Sequence, residues 1–433
     1  MEYKDKLQKI VNYIKSGETD PQDFALGFES EHFVVDSKSL ETISYYGAYG
    51  IGESMEEISK LGYEKNLEDG KILGLSKEGH DISVEPASQF ELALRSKAKI
   101  TDLYEDYKKA MGEISPVFEK KDQVLAMTGY HPKSKIEDIK IIPKKRYAHM
   151  YEYFRIYGGA CAHNMMKGTA SLQMAIDYAD EEDFKKKYFV ASALGPFLYS
   201  IFDNAYIFEG EVYKERNLRQ MIWDNCDRQR TGSYSFAFDK DFGYEKYARK
   251  ILDTDIIFVH ENGEDIYKGA VKFADIMDED SSEEMIFHAL SIVFPDVRAK
   301  KYIEIRMPDA VPYPYNFSAL ALVKGLFYNE KNLTELYEGF KDMDHDKLTN
   351  LKSRCEKDGL HATYEDKELY KWALDMVAMA KDGLGGDEKA FLDPLEEILK
   401  EEKSPRDIYE ELYKKDPKKA IREFSVGSSL EKM

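Results

Sequence analysis

Helical spacing of apolar residues runs through a large part of the chain. In these segments apolar side chains recur three and four positions apart, which places them on one face of a helix. The pattern predicts helices over 1–16, 53–63, 90–114, 145–157, 181–203 and 215–222, and over most of the chain after Asn329. Ser404 followed by Pro405 predicts a further helix start, because serine caps helix N-termini and proline fits the first helical position.

Between these helices, apolar and polar residues alternate with a period of two, which is typical of strands. The alternation predicts strands over 25–35, 71–84, 124–129, 169–177, 255–259 and 301–307. Strands separated by helices without a strict strand–helix–strand rhythm favour an α+β fold with a largely antiparallel sheet. Because no repeat or Pro/Gly/Ser-rich linker divides the chain, we expect a single domain over 1–433. Its sheet-bearing core would cover about 20–330 and its helical part about 331–433.

Four of the segments carry acidic or amide side chains at alternate positions, and residues two apart on a strand point to the same side. The shared faces are Glu29 with Glu31, Glu85 with Gln89 and Glu91, Thr169 with Ser171 and Gln173, and Glu304 with Arg306. For any single strand, one ordinary solvated face is the simpler interpretation. Carboxylates crowded on several strands, however, cost several kcal/mol unless cations lie among them. Oxygen ligands alone indicate Mg²⁺ or Mn²⁺ rather than zinc.

Two arginines are the best candidates for holding an anion. Arg230 and Arg306 each lie near acidic residues along the chain, and a guanidinium can bind a carboxylate or phosphate through two parallel hydrogen bonds. The run Lys144-Lys145-Arg146 remains open between a solvated charged face and a functional one.

Charge and composition exclude several classes of protein. The chain has 433 residues, 43% of them hydrophobic, and a net charge of −20, which argues against a nucleic-acid or anionic-membrane surface. Three cysteines are too few for a disulfide framework, and the charged N-terminal segment does not resemble a signal peptide, so we expect a cytoplasmic protein. The uncharged run from Tyr188 to Phe202 is shorter than the roughly 20 residues of a membrane span, and we expect a buried helix pair or a kinked helix there.

Sequence motifs for other chemistries are missing from the chain. It has no phosphate-binding loop of the G-x-x-x-x-G-K-[ST] type, no dinucleotide-binding G-x-G-x-x-G, no H-E-x-x-H and no G-x-S-x-G. The motifs therefore give no support to a P-loop NTPase, a dinucleotide enzyme, a zinc protease or a serine hydrolase.

Several blocks of sequence resemble a known family. GFESEHF, VEPASQFEL, TASLQMAIDYADEEDF, IWDNCDRQRTG, FAFDKDFGYEKY and VRAKKYIEIRMPD, followed by MAKDGLG and SPRDIYEELY, are similar in order and approximate spacing to the glutamate–cysteine ligases of plants and many proteobacteria. The resemblance implies a glutamine synthetase-like fold, in which a curved antiparallel sheet forms a funnel with helices packed outside. It covers residues from about 5 to about 415.

The resemblance also implies an activity, in which ATP activates the γ-carboxylate of glutamate as a γ-glutamyl phosphate and the amine of cysteine displaces the phosphate. Mg²⁺ or Mn²⁺ would be required, the partners would be the small-molecule substrates, and the chain would act as a monomer or homodimer. The implied metal ligands are Glu29, Glu31, Glu85, Glu91 and Glu304. The implied substrate-binding residues are Thr169, Gln173, Trp223, Arg230 and Arg306, with the two arginines also catalytic through the moving phosphoryl group.

The chain departs from the plant pattern near these residues. Ala87-Ser88 stand in place of two glycines, Gly168 in place of an arginine, Ala170 in place of a cysteine, and Met307-Pro308 in place of Gly-Ala. These substitutions leave open a related ligase that joins glutamate to a different amine. A non-catalytic binding protein on the same scaffold is a separate, less favoured alternative.

Overall fold

The structure is a computed structural model that describes residues 1–261 and 264–433. The helices are α1 (Tyr3–Lys15), α2 (Ile51–Ser59), α3 (Ile100–Glu119), α4 (Lys145–Tyr157), α5 (Ala162–Gly168), α6 (Glu181–Ala193), α7 (Gly195–Ile201), α8 (Leu218–Asp224), α9 (Tyr244–Leu252), α10 (Phe273–Ile276), α11 (Glu283–Ser291), α12 (Tyr315–Phe327), α13 (Glu330–Phe340), α14 (His345–Asp358), α15 (Leu369–Gly383), α16 (Asp393–Lys400), α17 (Pro405–Tyr413), α18 (Pro417–Glu423) and α19 (Val426–Lys432). The strands are β1 (Leu26–Asp36), β2 (Glu64–Glu68), β3 (Lys71–Lys77), β4 (His80–Val84), β5 (Phe90–Lys97), β6 (Gln123–Ala126), β7 (Leu172–Ile176), β8 (Ile207–Phe208), β9 (Glu211–Val212), β10 (Thr231–Gly232), β11 (Asp255–Glu261), β12 (Glu264–Lys272), β13 (Phe294–Pro295), β14 (Val297–Ala299), β15 (Ile303–Ile305), β16 (Thr363–Tyr364) and β17 (Lys367–Glu368).

Nine of these strands form one sheet. Their order is β14-β15-β7-β1-β5-β4-β3-β2, and β6 also pairs with β1. Every neighbouring pair in this sheet is antiparallel. The predicted α+β class with a largely antiparallel sheet is confirmed, and the long strand β1 lies at the centre of the sheet.

The apolar face of β1 packs against two helices. Phe28 is buried, and its ring centroid lies 5.6 Å from that of Tyr107 in α3 and 5.6 Å from that of Phe317 in α12. Burial of a side chain of this size contributes ~1.5–3 kcal/mol. Because a slip of one residue would expose Phe28, the core fixes the strand register and holds Glu29 and Glu31 on the opposite face.

One predicted helix is wrong in its first part. The segment 90–97 is strand β5, and the helix begins only at Ile100. Phe90, Leu92 and Leu94 are buried and alternate with more exposed residues, which is the pattern of a strand with one core face. The segment 85–89 is the turn that joins β4 to β5, with Ser88 at a positive φ of 71°.

The other predictions differ mainly at their boundaries. The segment 71–84 is a hairpin of two strands. The segment 181–203 is the helix pair α6 and α7, which is one of the two arrangements that the uncharged run left open. Helix α17 begins at Pro405, and the Ser404 N–H donates to Asp407. Helices α5, α9, α10, α11 and α12 were not predicted.

The C-terminal helices share a hydrophobic core with the sheet. Leu348 of α14 and Leu399 of α16 belong to the same buried cluster as Leu26 of β1. The single-domain assignment stays a prediction. Among the described residues, no helix has both the length and the apolar character that crossing a membrane requires.

Candidate active site

The register of the central strands brings the acidic residues onto one face of the sheet. Glu29 of β1 lies opposite Gln173 of β7, and Glu31 lies opposite Glu91 of β5. Directly paired residues of antiparallel strands point to the same side, so these side chains share a face.

A cavity of about 330 Å³ opens above this face. Eight residues that the sequence predicted as metal ligands or substrate contacts line it: Glu29, Glu31, Glu85, Glu91, Thr169, Gln173, Trp223 and Arg306. The structure therefore brings together residues from five separate segments of the chain.

Glu31 is held firmly in the cavity wall. Its carboxylate accepts hydrogen bonds from the Ser171 backbone N–H at 2.6 Å, the Ser171 hydroxyl at 3.2 Å and the Gln173 side-chain amide at 3.2 Å. Glu91 accepts from the Ser83 hydroxyl at 2.7 Å. Fixed carboxylates of this kind are preorganised for binding a cation.

The turn between β4 and β5 supplies Glu85 and Gln89. The hydroxyl of Tyr147 donates to Glu85 at 2.8 Å. The Gln89 amide donates to the carbonyl oxygens of Met166, at 3.3 Å, and Thr169, at 3.2 Å. Gln89 thus ties the turn to the segment that enters β7, and Thr169 lies just before that strand rather than within it.

Three cations surround Glu304. Its carboxylate lies 2.5 Å from Nε of Arg298, 2.7 Å from Nζ of Lys300 and 3.5 Å from Nη1 of Arg306. Burial by itself would raise the pKa of Glu304, but the three cations hold it well below its usual range. The role of Glu304 as a metal ligand stays a prediction, and the ion pairs give its carboxylate a second role in fixing three positive charges.

Arg306 and Trp223 form the side of the cavity near Gln173. Nη1 of Arg306 donates to the Gln173 side-chain oxygen, and its Cζ lies 5.8 Å from the centre of the Trp223 ring. Buried Arg219 holds the chain behind them, because it donates to the carbonyl oxygens of Arg306 and Met307, each at 2.7 Å. Sequence reasoning missed Arg219, although its position four residues before Trp223 places both on one face of α8.

Arg230 lies outside the cavity wall. Its side chain is fully buried, donates to Asp227 at 3.1 Å and to the Ile292 carbonyl oxygen at 3.3 Å, and packs over the Tyr153 ring. Its own carbonyl oxygen accepts from the N–H of Phe294, which does line the cavity. The geometry therefore favours support of the wall over direct contact with a substrate.

The donor set fits a hard divalent cation. Burial, and after it a neighbouring carboxylate, raise the pKa of Glu29, Glu31 and Glu91, that of Glu31 to about 7, so a cation among them would relieve a charge conflict. In the described part of the chain, no three acidic, His or Cys side chains are already grouped closely enough to hold a metal. Mg²⁺ commonly takes one or two carboxylates together with water and substrate oxygens, and that mode suits this cavity.

Comparison with known proteins agrees with the motifs. Residues 25–423 match the model of glutamate–cysteine ligase family 2 (GCS2). The chloroplastic glutamate–cysteine ligase of Solanum lycopersicum is 28% identical over 417 residues, which are 94% of this chain and 79% of that protein. That of Arabidopsis thaliana is 28% identical over 418 residues, with the same coverage.

A crystal structure of the Francisella tularensis glutamate–cysteine ligase in complex with AMP matches the fold. Its TM-score is 0.59 at 12% identity, and the match covers 94% of this chain and 88% of that one. At this identity the likeness shows the fold alone, and the predicted glutamine synthetase-like architecture agrees with it. The family resemblance in the motifs is confirmed, and the chain belongs to glutamate–cysteine ligase family 2.

Proposed function

We propose that the protein is an ATP-dependent glutamate–cysteine ligase that forms γ-glutamylcysteine through a γ-glutamyl phosphate, the first step of glutathione synthesis. The observation that carries the proposal is the cavity in which carboxylates on β1 and β5 face arginines and lysines, in a chain of this family. Direct condensation of a carboxylate with an amine is uphill at neutral pH, so an oxygen must first become a good leaving group. Phosphoryl transfer asks a protein mainly for positioning and charge neutralisation, which this cavity can supply.

We assign metal binding to the acidic wall. Glu29, Glu31, Glu85 and Glu91 would hold Mg²⁺ or Mn²⁺. Glu304 does not line this cavity and, because three cations already pair with it, is a further candidate only. The bound metal would neutralise phosphate charge and orient the nucleotide.

Arg306 is the residue we assign to the moving phosphoryl group. Its guanidinium lies at the cavity wall and is held there by Gln173 and Glu304. Gln173, Thr169 and Trp223 would position glutamate, and Arg230 would act from behind the wall. As a further part of the proposal, the enzyme acts in the cytoplasm, which fits its three free cysteines.

The test is ADP release by the purified protein with MgATP, glutamate and cysteine, omitting each component in turn. Turnover should need all three, and product analysis should find γ-glutamylcysteine. Glu29→Gln should reduce kcat by at least about 100-fold, as expected for loss of a group that stabilises transition-state charge. Glu64→Gln on strand β2 of the same sheet is the matched control, because Glu64 is exposed and remote from the cavity, and it should keep wild-type turnover.

Two results would contradict parts of the proposal. If another amine replaces cysteine with equal efficiency, the acceptor assignment is wrong. If Glu29→Gln keeps full activity, the acidic wall is not the metal site.

A further inference from the structure

The cations that line the cavity fall into two groups. Arg298, Lys300 and Arg306 all lie within 4 Å of the Glu304 carboxylate. Lys144 and Arg146 also line the cavity, but neither side chain forms an ion pair or a hydrogen bond with any residue that the structure describes. Neither cation is therefore held in a direct ion pair, although the chain carries 20 more acidic than basic residues.

The start of helix α4 sets the positions of these two residues. Lys144 is the N-cap of the helix and Arg146 follows two residues later, and both lie over the Tyr147 ring, at 4.8 and 5.4 Å from its centre. Between them, Lys145 turns away from the cavity, and its Nζ lies 3.4 Å from Asp69. Adjacent residues of one charged run thus differ in direction and in pairing.

Both side chains are also partly shielded from water. Burial and the neighbouring Arg146 lower the pKa of Lys144. Nε of Arg146 is buried and has no hydrogen-bond acceptor in the described residues. A buried donor without an acceptor costs free energy that a bound anion would recover.

The carboxylates nearest these cations decide which anion fits. The acids that act on Lys144 include Glu85 and Glu91, which belong to the proposed metal site, and Tyr147 links α4 to Glu85. A ligand between Lys144, Arg146 and those glutamates must bind the metal on one side and the two cations on the other. A chain of phosphates has oxygens enough for both, whereas a single amino-acid carboxylate carries one charge.

We propose that Lys144 and Arg146 bind the polyphosphate chain of the nucleotide. This inference rests on the proposed function and adds to it a second group of cations, separate from the three that are paired with Glu304. Lys145 takes no part.

The test is calorimetric binding of the magnesium complex of a non-hydrolysable ATP analogue to the full-length protein. Lys144→Met and Arg146→Met should each raise Kd by about 10-fold to 100-fold, the usual effect of losing a charge-assisted hydrogen bond. Lys145→Met is the matched control from the same run and should bind like the wild type. Arg146→Lys keeps the charge and should recover most of the affinity, while the KM for glutamate should change by less than about threefold in all variants.

The possible results separate this inference from the proposed function. Nucleotide binding within about threefold of the wild type in both methionine variants would overturn the inference and leave the ligase assignment intact. A rise in the KM for glutamate with unchanged nucleotide Kd would also overturn it and would assign the two cations to the amino acid. Failure of the wild type to bind the nucleotide would remove the proposed function and this inference with it. Thermal melting by circular dichroism checks that each variant is folded.

Discussion

Replacing Lys352 should show how strongly the C-terminal helices support the cavity. Lys352 of α14 reaches into the sheet-bearing part, where its Nζ lies 2.6 Å from Asp224 and 3.0 Å from Asp296. Asp224 directly follows Trp223, and the Asp296 carbonyl oxygen accepts from the Arg306 N–H at 3.1 Å. The ion pair therefore links a C-terminal helix to two residues of the cavity wall.

The magnitude follows from what Lys352→Met leaves behind. Removal of one partner from a buried ion pair typically costs about 3–5 kcal/mol, because the other charge stays buried and unpaired. Asp296 would keep hydrogen bonds from the Tyr199 hydroxyl at 2.8 Å and the Ser233 hydroxyl at 2.6 Å, and Asp224 is 29% exposed. We therefore expect the lower end of that range, about 3 kcal/mol.

Urea denaturation measures this loss, and the two tryptophans make it informative. Trp223 reports on the cavity and Trp372 on the C-terminal helices, so a single domain should show one transition by fluorescence and circular dichroism. Lys352→Met should lower the free energy of unfolding and raise the KM of the substrates. The double variant Lys352→Met with Asp224→Asn should be more stable than Lys352→Met alone, because it removes one of the carboxylates left unpaired. Lys38→Met is the control, because Lys38 pairs with Asp122 on the exposed surface and should leave the transition midpoint unchanged. A loss below about 1 kcal/mol, or two separate transitions, would refute the reasoning.

Three further predictions follow from the structure. Burial lowers the pKa of His131 to about 3. The stability that the neutral His131 side chain contributes is therefore fully present above its ordinary pKa of about 6.5, and it is lost as the pH falls from there toward 3. In urea titrations at pH 7.5, 6 and 5, the free energy of unfolding of the wild type should fall faster than that of His131→Gln, by up to about 1.4 kcal/mol per pH unit. Equal slopes of unfolding free energy against pH in the two proteins would contradict this. Gly168→Ala should destabilise the fold by about 1–3 kcal/mol, because a Cβ there would lie 2.4 Å from the Tyr130 ring. Gly339→Ala in α13 has free space around the new Cβ and should stabilise the fold by about 0.5–1 kcal/mol in the same denaturation assay. Removal of divalent cations with EDTA should abolish ADP release and excess Mg²⁺ should restore it, and metal-independent turnover would contradict the acidic metal site.

The parts of the fold that alternate clearly could be predicted from the sequence. Strand β1 has Phe28 on the core side and Glu29 and Glu31 on the cavity side, so its period of two identified both the strand and the acidic face. Helix α12 gave no such signal, because nearly all of its residues are buried and it has no polar stripe. Strand β5 was mistaken for part of a helix, since a short alternating run leading into a long helix can satisfy both patterns.

Ion pairing across the fold could not be predicted in the same way. From the sequence, Arg230 and Arg306 are equally good candidates for binding an anion. Only tertiary packing shows that Arg230 is paired with Asp227 behind the wall and that Arg306 lines the cavity. The run Lys144-Lys145-Arg146 presents the same difficulty, because which of its residues turns outward depends on where Asp69 lies.

The carboxylates on the central strands and the two cations at the start of α4 are positioned by different means, and this predicts how each will respond to mutation. Glu29, Glu31 and Glu91 stand on central strands whose register is fixed by backbone hydrogen bonds and by the core behind them. Lys144 and Arg146 stand at the start of a helix, where their placement depends on packing between distant segments. Remote changes such as Lys352→Met should therefore alter binding of the anionic substrates but leave the carboxylates in place. The affinity for Mg²⁺, measured in the absence of nucleotide, should then stay within about threefold of the wild type. An equal loss of metal and nucleotide affinity would instead mean that the structure of the sheet changes when the packing of the C-terminal helices is weakened.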